Sequence, residues 1–283
     1  MSTPTADVPL VTLNNGVEIP QLGFGVFKVP PAETKQATLA ALEIGYRHID
    51  TAEMYGNEAE VGEAVRASGI ARNEIFVTSK LNNGFHRPDL VHEAFAGTLK
   101  ALDIGYLDLF LIHWPLPTID IDYVDTWKAM EALLDGEHLR AIGVSNFQIA
   151  HLERVIEAGS VVPAANQIEV HPYLTQVPLR QFNQAHGIAT EAWSPIARGQ
   201  VTDDPAVGAI ATEVGRSAAQ VVLRWHIQRG DIVFPKSVHR SRMEENFALF
   251  DFELNDEQMT GISALNRDER TGPDPDTFAP ARS

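Results

Sequence analysis

Short apolar runs recur along the chain, each followed by a stretch with helical spacing of its apolar positions. The runs are Gln21–Gly25, Tyr46–Thr51, Ile75–Lys80, Leu107–His113, Arg140–Asn146, Ala164–Val170, Ile188–Ser194 and Asp231–Ser237. Within the fourth, Leu109-Phe110-Leu111-Ile112 is apolar at every position, as expected where both faces of a parallel strand are covered; a half-solvated strand would alternate. Between the runs, Tyr123, Trp127, Met130, Leu133 and Leu134 follow one another at steps of three and four, one apolar stripe along a helix. Ser217 with Gln220, and Ser241 with Glu244, match the capping box that opens a helix. Ahead of the first run, Val11-Thr12-Leu13 and Val17-Glu18-Ile19 flank Asn14-Asn15-Gly16, which predicts a β-hairpin over about residues 10–20 with Asn-Gly supplying the positive φ angles of its turn. Eight strands alternating with helices fit a (β/α)8 barrel, a TIM barrel, better than a doubly wound sheet with its early glycine fingerprint.

Composition narrows the function. The 283 residues show no linker or compositional break before the tail, so residues 1–283 are expected to form one domain. With 22 Lys+Arg against 38 Asp+Glu the net charge is −16, which disfavours nucleic acid and anionic membranes as partners. The absence of cysteine removes disulfides, thiolate metal sites and cysteine nucleophiles. Met1–Asn15 lacks a basic segment followed by an apolar stretch, and the expected location is cytoplasmic. His86, His92 and His171 lack metal-ligand spacing, and His92-Glu93 is not followed by the second histidine of H-E-x-x-H, so no metal is expected.

Barrel active sites lie at the C-terminal ends of the strands. There the second run ends at Asp50 with Tyr55 in the loop beyond, the third at Lys80, and the fourth at His113 and Trp114. Singly, each has a plain structural explanation: a cap, a rim aromatic, a solvated amine, a core histidine. Gathered on adjacent strand ends they form a chemical set. An ammonium at Lys80 favours the tyrosinate of Tyr55 and so makes the phenol a better acid. A carboxylate at Asp50 keeps that ammonium charged, and His113 can donate a hydrogen bond to a carbonyl oxygen gaining negative charge. The set describes carbonyl reduction that still needs a hydride source.

The segments Gly45–Gly56, Leu107–Pro115 with Arg140–Asn146, and Ile232–Ser237 resemble, in that order, the three signatures of the aldo-keto reductase family, with the likeness running from Leu10 to Phe252. Among its members the chain looks most like bacterial 2,5-diketo-D-gluconate reductases. The resemblance implies a (β/α)8 barrel with Asp50, Tyr55, Lys80 and His113 as catalytic tetrad, Tyr55 being the general acid. It also implies NADPH across the barrel mouth. Ser145, Asn146 and Gln167 would hold the carboxamide, Trp193 would stack on the nicotinamide with Ser194 and Pro195 beside it, and Gly25, Val26, Phe27 and Asp50 would line the site. Lys236, Ser237 and Arg242 would take the 2′-phosphate, with Val238 also at the cofactor and Glu245 and Asn246 at the adenine; the basic patch at a helix start suits an anion. Phe27, Met54, Tyr55, Asn82, His113 and Trp114 would meet the substrate, Asn82 standing where many relatives have tryptophan. Residues 266–283 would form a loop over the pocket or a disordered end, and the family is often monomeric.

The expected activity is therefore NADPH-dependent reduction of aldehydes, ketones or dicarbonyls, such as methylglyoxal or diketo sugar acids. Two other readings remain open: a non-enzymatic NADPH-binding subunit of a larger assembly, and a barrel glycosidase using Glu169 and Glu191 as paired carboxylates. The segment Gly23-Phe24-Gly25-Val26-Phe27-Lys28 lacks the third glycine of G-x-G-x-x-G, against a Rossmann site.

Overall fold

A computed structural model of the chain describes residues 8–279. It opens with an antiparallel hairpin, β1 (Leu10–Thr12) and β2 (Glu18–Pro20), and continues through β3 (Phe24–Gly25), α1 (Pro31–Ile44), β4 (His48–Asp50), α2 (Glu58–Ala67), β5 (Phe76–Leu81) and α3 (Pro88–Leu102). Next come β6 (Leu107–Ile112), α4 (Tyr123–Glu131), β7 (Leu139–Ser145), α5 (Ile149–Ala158), β8 (Ala165–Glu169), α6 (Val177–Ala185) and β9 (Ala189–Trp193). The chain then adds α7 (Pro205–Val214), α8 (Ala218–Gln228), β10 (Ile232–Val233), α9 (Arg240–Phe247) and α10 (Asp256–Ser263).

Strands β3 to β10 pair in parallel, each with its sequence neighbour. The ends meet where Leu22 bridges Val233 and Gly23 N–H donates to the Val233 carbonyl at 2.7 Å, which closes the (β/α)8 barrel. The continuous apolar run of β6 is explained by its two faces. Leu109 and Leu111 pack inward with Phe76, Ala141 and Ile232, while Phe110 and Ile112 pack outward with Phe95, Trp127 and Leu102. The hairpin seals the bottom of the barrel with Leu13 and Ile19 in the inner cluster. Gly143 of β7 is required by that crowding: a Cβ there would lie 2.6 Å from the Ala165 carbonyl and 2.8 Å from a Leu111 methyl.

Two local expectations are corrected. The hairpin turn uses three residues, Asn14 to Gly16; only Gly16 has positive φ, at 84°, and its N–H donates to the Leu13 carbonyl. This is a tight turn closed by one left-handed glycine, which leaves both asparagine side chains free to bond backbone carbonyls of the barrel, Asn14 to Pro163 and Asn15 to Arg140. The capping box holds at Ser217 and Gln220 but not at Ser241, because α9 begins at Arg240, two residues before the start a cap at Ser241 requires, and Ser241 falls inside its first turn. Ser237 Oγ accepts the N–H of His239 just ahead of that helix, at 3.0 Å.

The tail expected to be either a loop or a disordered end is, as far as Ala279, a strap lying along the barrel mouth; residues 280–283 and 1–7 lie outside the described residues. Thr175 N–H donates to Asn266, and the N–H groups of Arg267 and Glu269 both donate to the Tyr173 carbonyl. Phe278 packs on Trp114 with ring centres 4.3 Å apart, and Asp276 pairs with His151 at 3.3 Å. Among the described residues no helix is long and apolar enough to cross a membrane.

Candidate active site

Alternation along the strands builds the site. Side chains two apart on a strand share a face, so Thr78 and Lys80 of β5 point into the barrel while Ser79 points out to the Glu58 carboxylate on α2. The same rule turns Asp50, Ser145, Gln167, Glu169, Glu191 and Trp193 inward at the mouth. The parallel register aligns Ser145 with Gln167 and Gln167 with Glu191.

Lys80 is fully buried, and its ammonium spends all three donors. It donates to Asp50 Oδ1 at 2.8 Å, to Asp50 Oδ2 at 2.9 Å and to the Thr51 carbonyl at 2.8 Å. Burial, the largest single effect, works against its charge, but Asp50 together with Tyr55 and Glu191 outweighs it and holds the ammonium above its ordinary pKa. Burial likewise pushes the Asp50 carboxyl up, against the pull of Lys80. The ion pair is a property of both partners, and three short acceptors fix the lysine in its charged form.

Tyr55 is only half-buried, yet its ring is walled in. The Lys80 ammonium lies 5.0 Å from its centre, the Phe27 ring 5.0 Å away and the His113 ring 5.7 Å away, edge to face. Enclosure pushes the phenol pKa up and Lys80 pulls it down, the first effect being the larger. The expected pull of Lys80 is present, then, but does not lower the phenol below its ordinary value. The His113 imidazole is held well below its ordinary pKa by burial first and by Lys80 second, so it is neutral near pH 7. Its Nδ1 is buried without a hydrogen-bond partner among the described residues.

A chain of amides runs from this group around the mouth. Gln167 Nε2 donates to Asp50 Oδ2 at 2.8 Å and to Glu191 Oε2 at 2.7 Å. Ser145 Oγ donates to the Gln167 carbonyl, and Asn146 Nδ2 to the His113 carbonyl, both at 2.8 Å. Trp193 Nε1 donates to Asn146 Oδ1 at 2.8 Å. Asn146 and Ser194 both adopt left-handed backbone, with φ of 65° and 51°, conformations that cost energy for residues with a Cβ and cluster at functional sites. Asn57, not singled out from sequence, holds the loop after β3: its amide donates to the carbonyls of Val26 and Val29, and its oxygen accepts from Thr51. A polar residue just beyond the Gly45–Gly56 segment was the available signal.

Phe27 and Met54 are exposed apolar side chains at the mouth, 52% and 47% accessible. Trp114 is buried beneath Phe278. Asn82 Oδ1 accepts the N–H of Gly84 at 3.2 Å, which gives that side chain a local capping partner. Gly25 lies against the backbone of Phe234, where a Cβ would come within 2.7 Å of its carbonyl.

Beyond the end of β10, which closes against β3, Lys236 and Arg242 are exposed and form no ion pair among the described residues, whereas Arg240 between them is engaged by Glu43 at 2.7 Å and Glu244 at 3.0 Å. Ser237 and Asn246 are buried beside them, Val238 and Glu245 half-buried, and the Glu245 carbonyl accepts from Gln220. The two carboxylates considered for glycoside hydrolysis are both committed. Glu169 accepts from Thr271, Gly272 and His171, and Glu191 from Gln167. Both are buried and hydrogen-bonded, which argues against either acting on a sugar bound at the mouth. Among the described residues no group of three or more His, Asp or Glu side chains is arranged to hold a metal ion.

Comparison with known proteins agrees with this architecture. Residues 21–267 match the model of the "Aldo/keto reductase family". The chain is 47% identical over 274 residues to a glyoxal reductase of Bacillus subtilis (strain 168), covering 96% of this chain and 98% of that protein. It is 46% identical over 281 residues to methylglyoxal reductase DkgA of Salmonella typhimurium (strain LT2), covering 98% and 99%. A solved structure of a substituted form of Gox0644 in complex with NADPH superposes with a TM-score of 0.92 at 41% identity, covering 97% of this chain and all of that one.

Proposed function

The chain belongs to the aldo/keto reductase family, and we propose that it is an NADPH-dependent reductase of small aldehydes, ketones and 1,2-dicarbonyls with Tyr55 as proton donor. The observation that carries this reading is the Tyr55 phenol set between a charged, fully buried Lys80 and a neutral His113. The two relatives are named for reduction of glyoxal and methylglyoxal, which favours short dicarbonyls as substrates.

The residues present suit NADPH. Trp193 is partly exposed at the mouth with its Nε1 tied to Asn146, and a planar ring held in this way suits stacking. Lys236 and Arg242 are cations without counter-ions among the described residues, in a chain of charge −16. They would take the 2′-phosphate beside Ser237, with Glu245 and Asn246 toward the adenine. Ser145, Asn146 and Gln167 would hold the carboxamide. When bound, NADPH supplies the hydride.

The chain supplies the rest. His113, being neutral, donates an N–H to the substrate oxygen and orients the carbonyl. As negative charge grows on that oxygen, the Tyr55 hydroxyl gives it a proton, and the resulting phenolate is stabilised by the Lys80 ammonium. The raised phenol pKa keeps the proton on Tyr55 until that moment. Asp50 acts through Lys80, holding its charge. Phe27 and Met54 offer apolar surface for the carbonyl's substituents. The intact set of proton donor, charge-stabilising and orienting groups favours turnover over a non-enzymatic cofactor-binding role.

The test is NADPH consumption, followed by absorbance, with methylglyoxal, phenylglyoxal, an aromatic aldehyde and a diketo sugar acid, wild type beside Tyr55→Phe. Wild type should consume NADPH and the variant should be slower by ~100-fold or more with cofactor affinity little changed. Binding of NADPH without consumption in the presence of any carbonyl would instead support a cofactor-binding subunit.

A further inference from the structure

Glu169 lies at the end of β8, fully buried, and outside the set of groups assigned a part in carbonyl reduction. Its carboxylate accepts four hydrogen bonds: from Thr271 N–H at 2.7 Å, Thr271 Oγ1 at 2.5 Å, Gly272 N–H at 3.1 Å and His171 Nε2 at 3.0 Å. Three of the four come from the strap, more than a hundred residues later in the chain. A buried carboxylate that accepts this many donors is held ionised, and its pKa lies below the usual range: burial opposes the charge, but the bonds from His171 and Thr271 outweigh it.

The consequence falls on Trp193. Gly272 sits directly against the outer edge of the indole; a Cβ on Gly272 would lie 2.4 Å from Cη2 and 3.2 Å from Cζ3 of that ring. At its other end the same ring is tied by Nε1 to Asn146, which in turn donates to the backbone carbonyl of His113. The indole is therefore held at both ends, by the amide chain of the mouth and by the strap. The strap is held in place there by one carboxylate.

We propose that Glu169 is a positioning residue, whose bonds to Thr271 and Gly272 latch the C-terminal strap so that Gly272 fixes the Trp193 ring for stacking on the nicotinamide. The proposal rests on the reading of Trp193 as the cofactor-stacking residue. It makes the strap a determinant of how long the cofactor stays bound. Opening the latch frees the benzo edge of the indole while Nε1 stays on Asn146.

The experiment measures release of NADPH from the full chain, by the change in cofactor fluorescence on displacement with excess NADP+, in wild type, Thr271→Val, Thr271→Ser and Gly272→Ala. Thr271→Val loses the hydroxyl bond to a charged acceptor and should speed release ~10-fold or more. Thr271→Ser keeps the hydroxyl and should stay within about 2-fold of wild type. Gly272→Ala keeps both backbone donors but drives a Cβ into the indole and within 3.3 Å of Glu169 Oε2, pressing on ring and latch together, and should speed release by a similar ~10-fold. Thermal melting separates these effects from unfolding, since a merely structural tail contact would move the melting point without moving release. Wild-type release rates in both Thr271→Val and Gly272→Ala overturn the latch, as does equal loss in Thr271→Ser and Thr271→Val. A wild type that consumes NADPH but releases it unchanged in the variants keeps the reductase reading and removes only the latch; a wild type that binds no NADPH removes both.

Discussion

Lys80 and Asp50 meet at the ends of the neighbouring strands β5 and β4, with the ammonium 2.8 Å from one carboxylate oxygen and 2.9 Å from the other and both side chains buried. Such a pair is costly to assemble from water and more costly to break, because removal of one partner strands the other charge in a low-dielectric interior. In the proposed reaction its value is chemical: it keeps a positive charge 5.0 Å from the centre of the Tyr55 ring.

Breaking the pair separates the two roles. Asp50→Asn leaves the Lys80 ammonium with amide and backbone acceptors only, and should lower unfolding free energy by about 3–5 kcal/mol. Adding Lys80→Met to that variant removes the stranded charge and should restore most of the loss, while carbonyl reduction stays abolished in both. Denaturant unfolding of the single and double variants, with NADPH consumption alongside, checks this. A double variant no more stable than the single would mean that the cost lies in packing and not in the charge.

Discrimination between cofactors has its own test beyond the end of β10. Lys236→Ala and Arg242→Ala should each weaken NADPH by ~10-fold to ~100-fold, the range expected for loss of one charge-assisted bond, and NADH by no more than about 2-fold. Fluorescence titration with both cofactors gives the comparison. Equal weakening of the two would take the 2′-phosphate away from these residues. Arg240→Ala serves as contrast, since its guanidinium is already engaged by Glu43 and Glu244.

How far the sequence reached depended on the range of each interaction. The barrel was legible because Leu109-Phe110-Leu111-Ile112 and its counterparts report two buried faces, a property of consecutive residues. The inward layer of Asp50, Lys80, Gln167 and Glu191 follows from strand alternation once the strand ends are known. Local patterns were less secure where two solutions compete over one or two residues: Ser241 has the right partner at the right spacing, yet α9 starts at Arg240. Properties set by enclosure were beyond reach. That burial outweighs Lys80 at the Tyr55 phenol depends on Phe27 and His113 closing around it. That Glu169 fastens the strap depends on Thr271 and Gly272, which only the finished fold brings to it.

Packing inside the barrel gives a prediction independent of chemistry. A methyl group at position 143 would sit 2.6 Å from the Ala165 carbonyl and 2.8 Å from Leu111, one neighbour being backbone that cannot swing away. Gly143→Ala should therefore destabilise by about 1–3 kcal/mol, the usual cost of overpacking a filled core. A denaturation midpoint equal to wild type would show that β7 and β8 can separate to admit the methyl group.

The last prediction concerns Glu191, whose carboxyl is pushed up from 4.5 to about 7, by burial first and by the Asp50 charge second. One of its oxygens accepts from Gln167 and the other is buried without a partner among the described residues. The folded chain therefore keeps this proton to higher pH than the unfolded chain. Its contribution to stability is fully present below about pH 4.5 and is lost as pH rises through about 7, where the folded state must bury the charge. Each pKa unit is worth ~1.4 kcal/mol, so the cost above pH 7 is on the order of 3 kcal/mol. Glu191→Gln keeps the acceptor for Gln167 and cannot ionise. It should gain little over wild type at pH 5 and most at pH 8, when the unfolding free energies of the two are compared in denaturant at each pH. A difference that stays constant across that interval would mean that the carboxylate is charged throughout, with Lys80 and Gln167 supplying enough compensation to hold it.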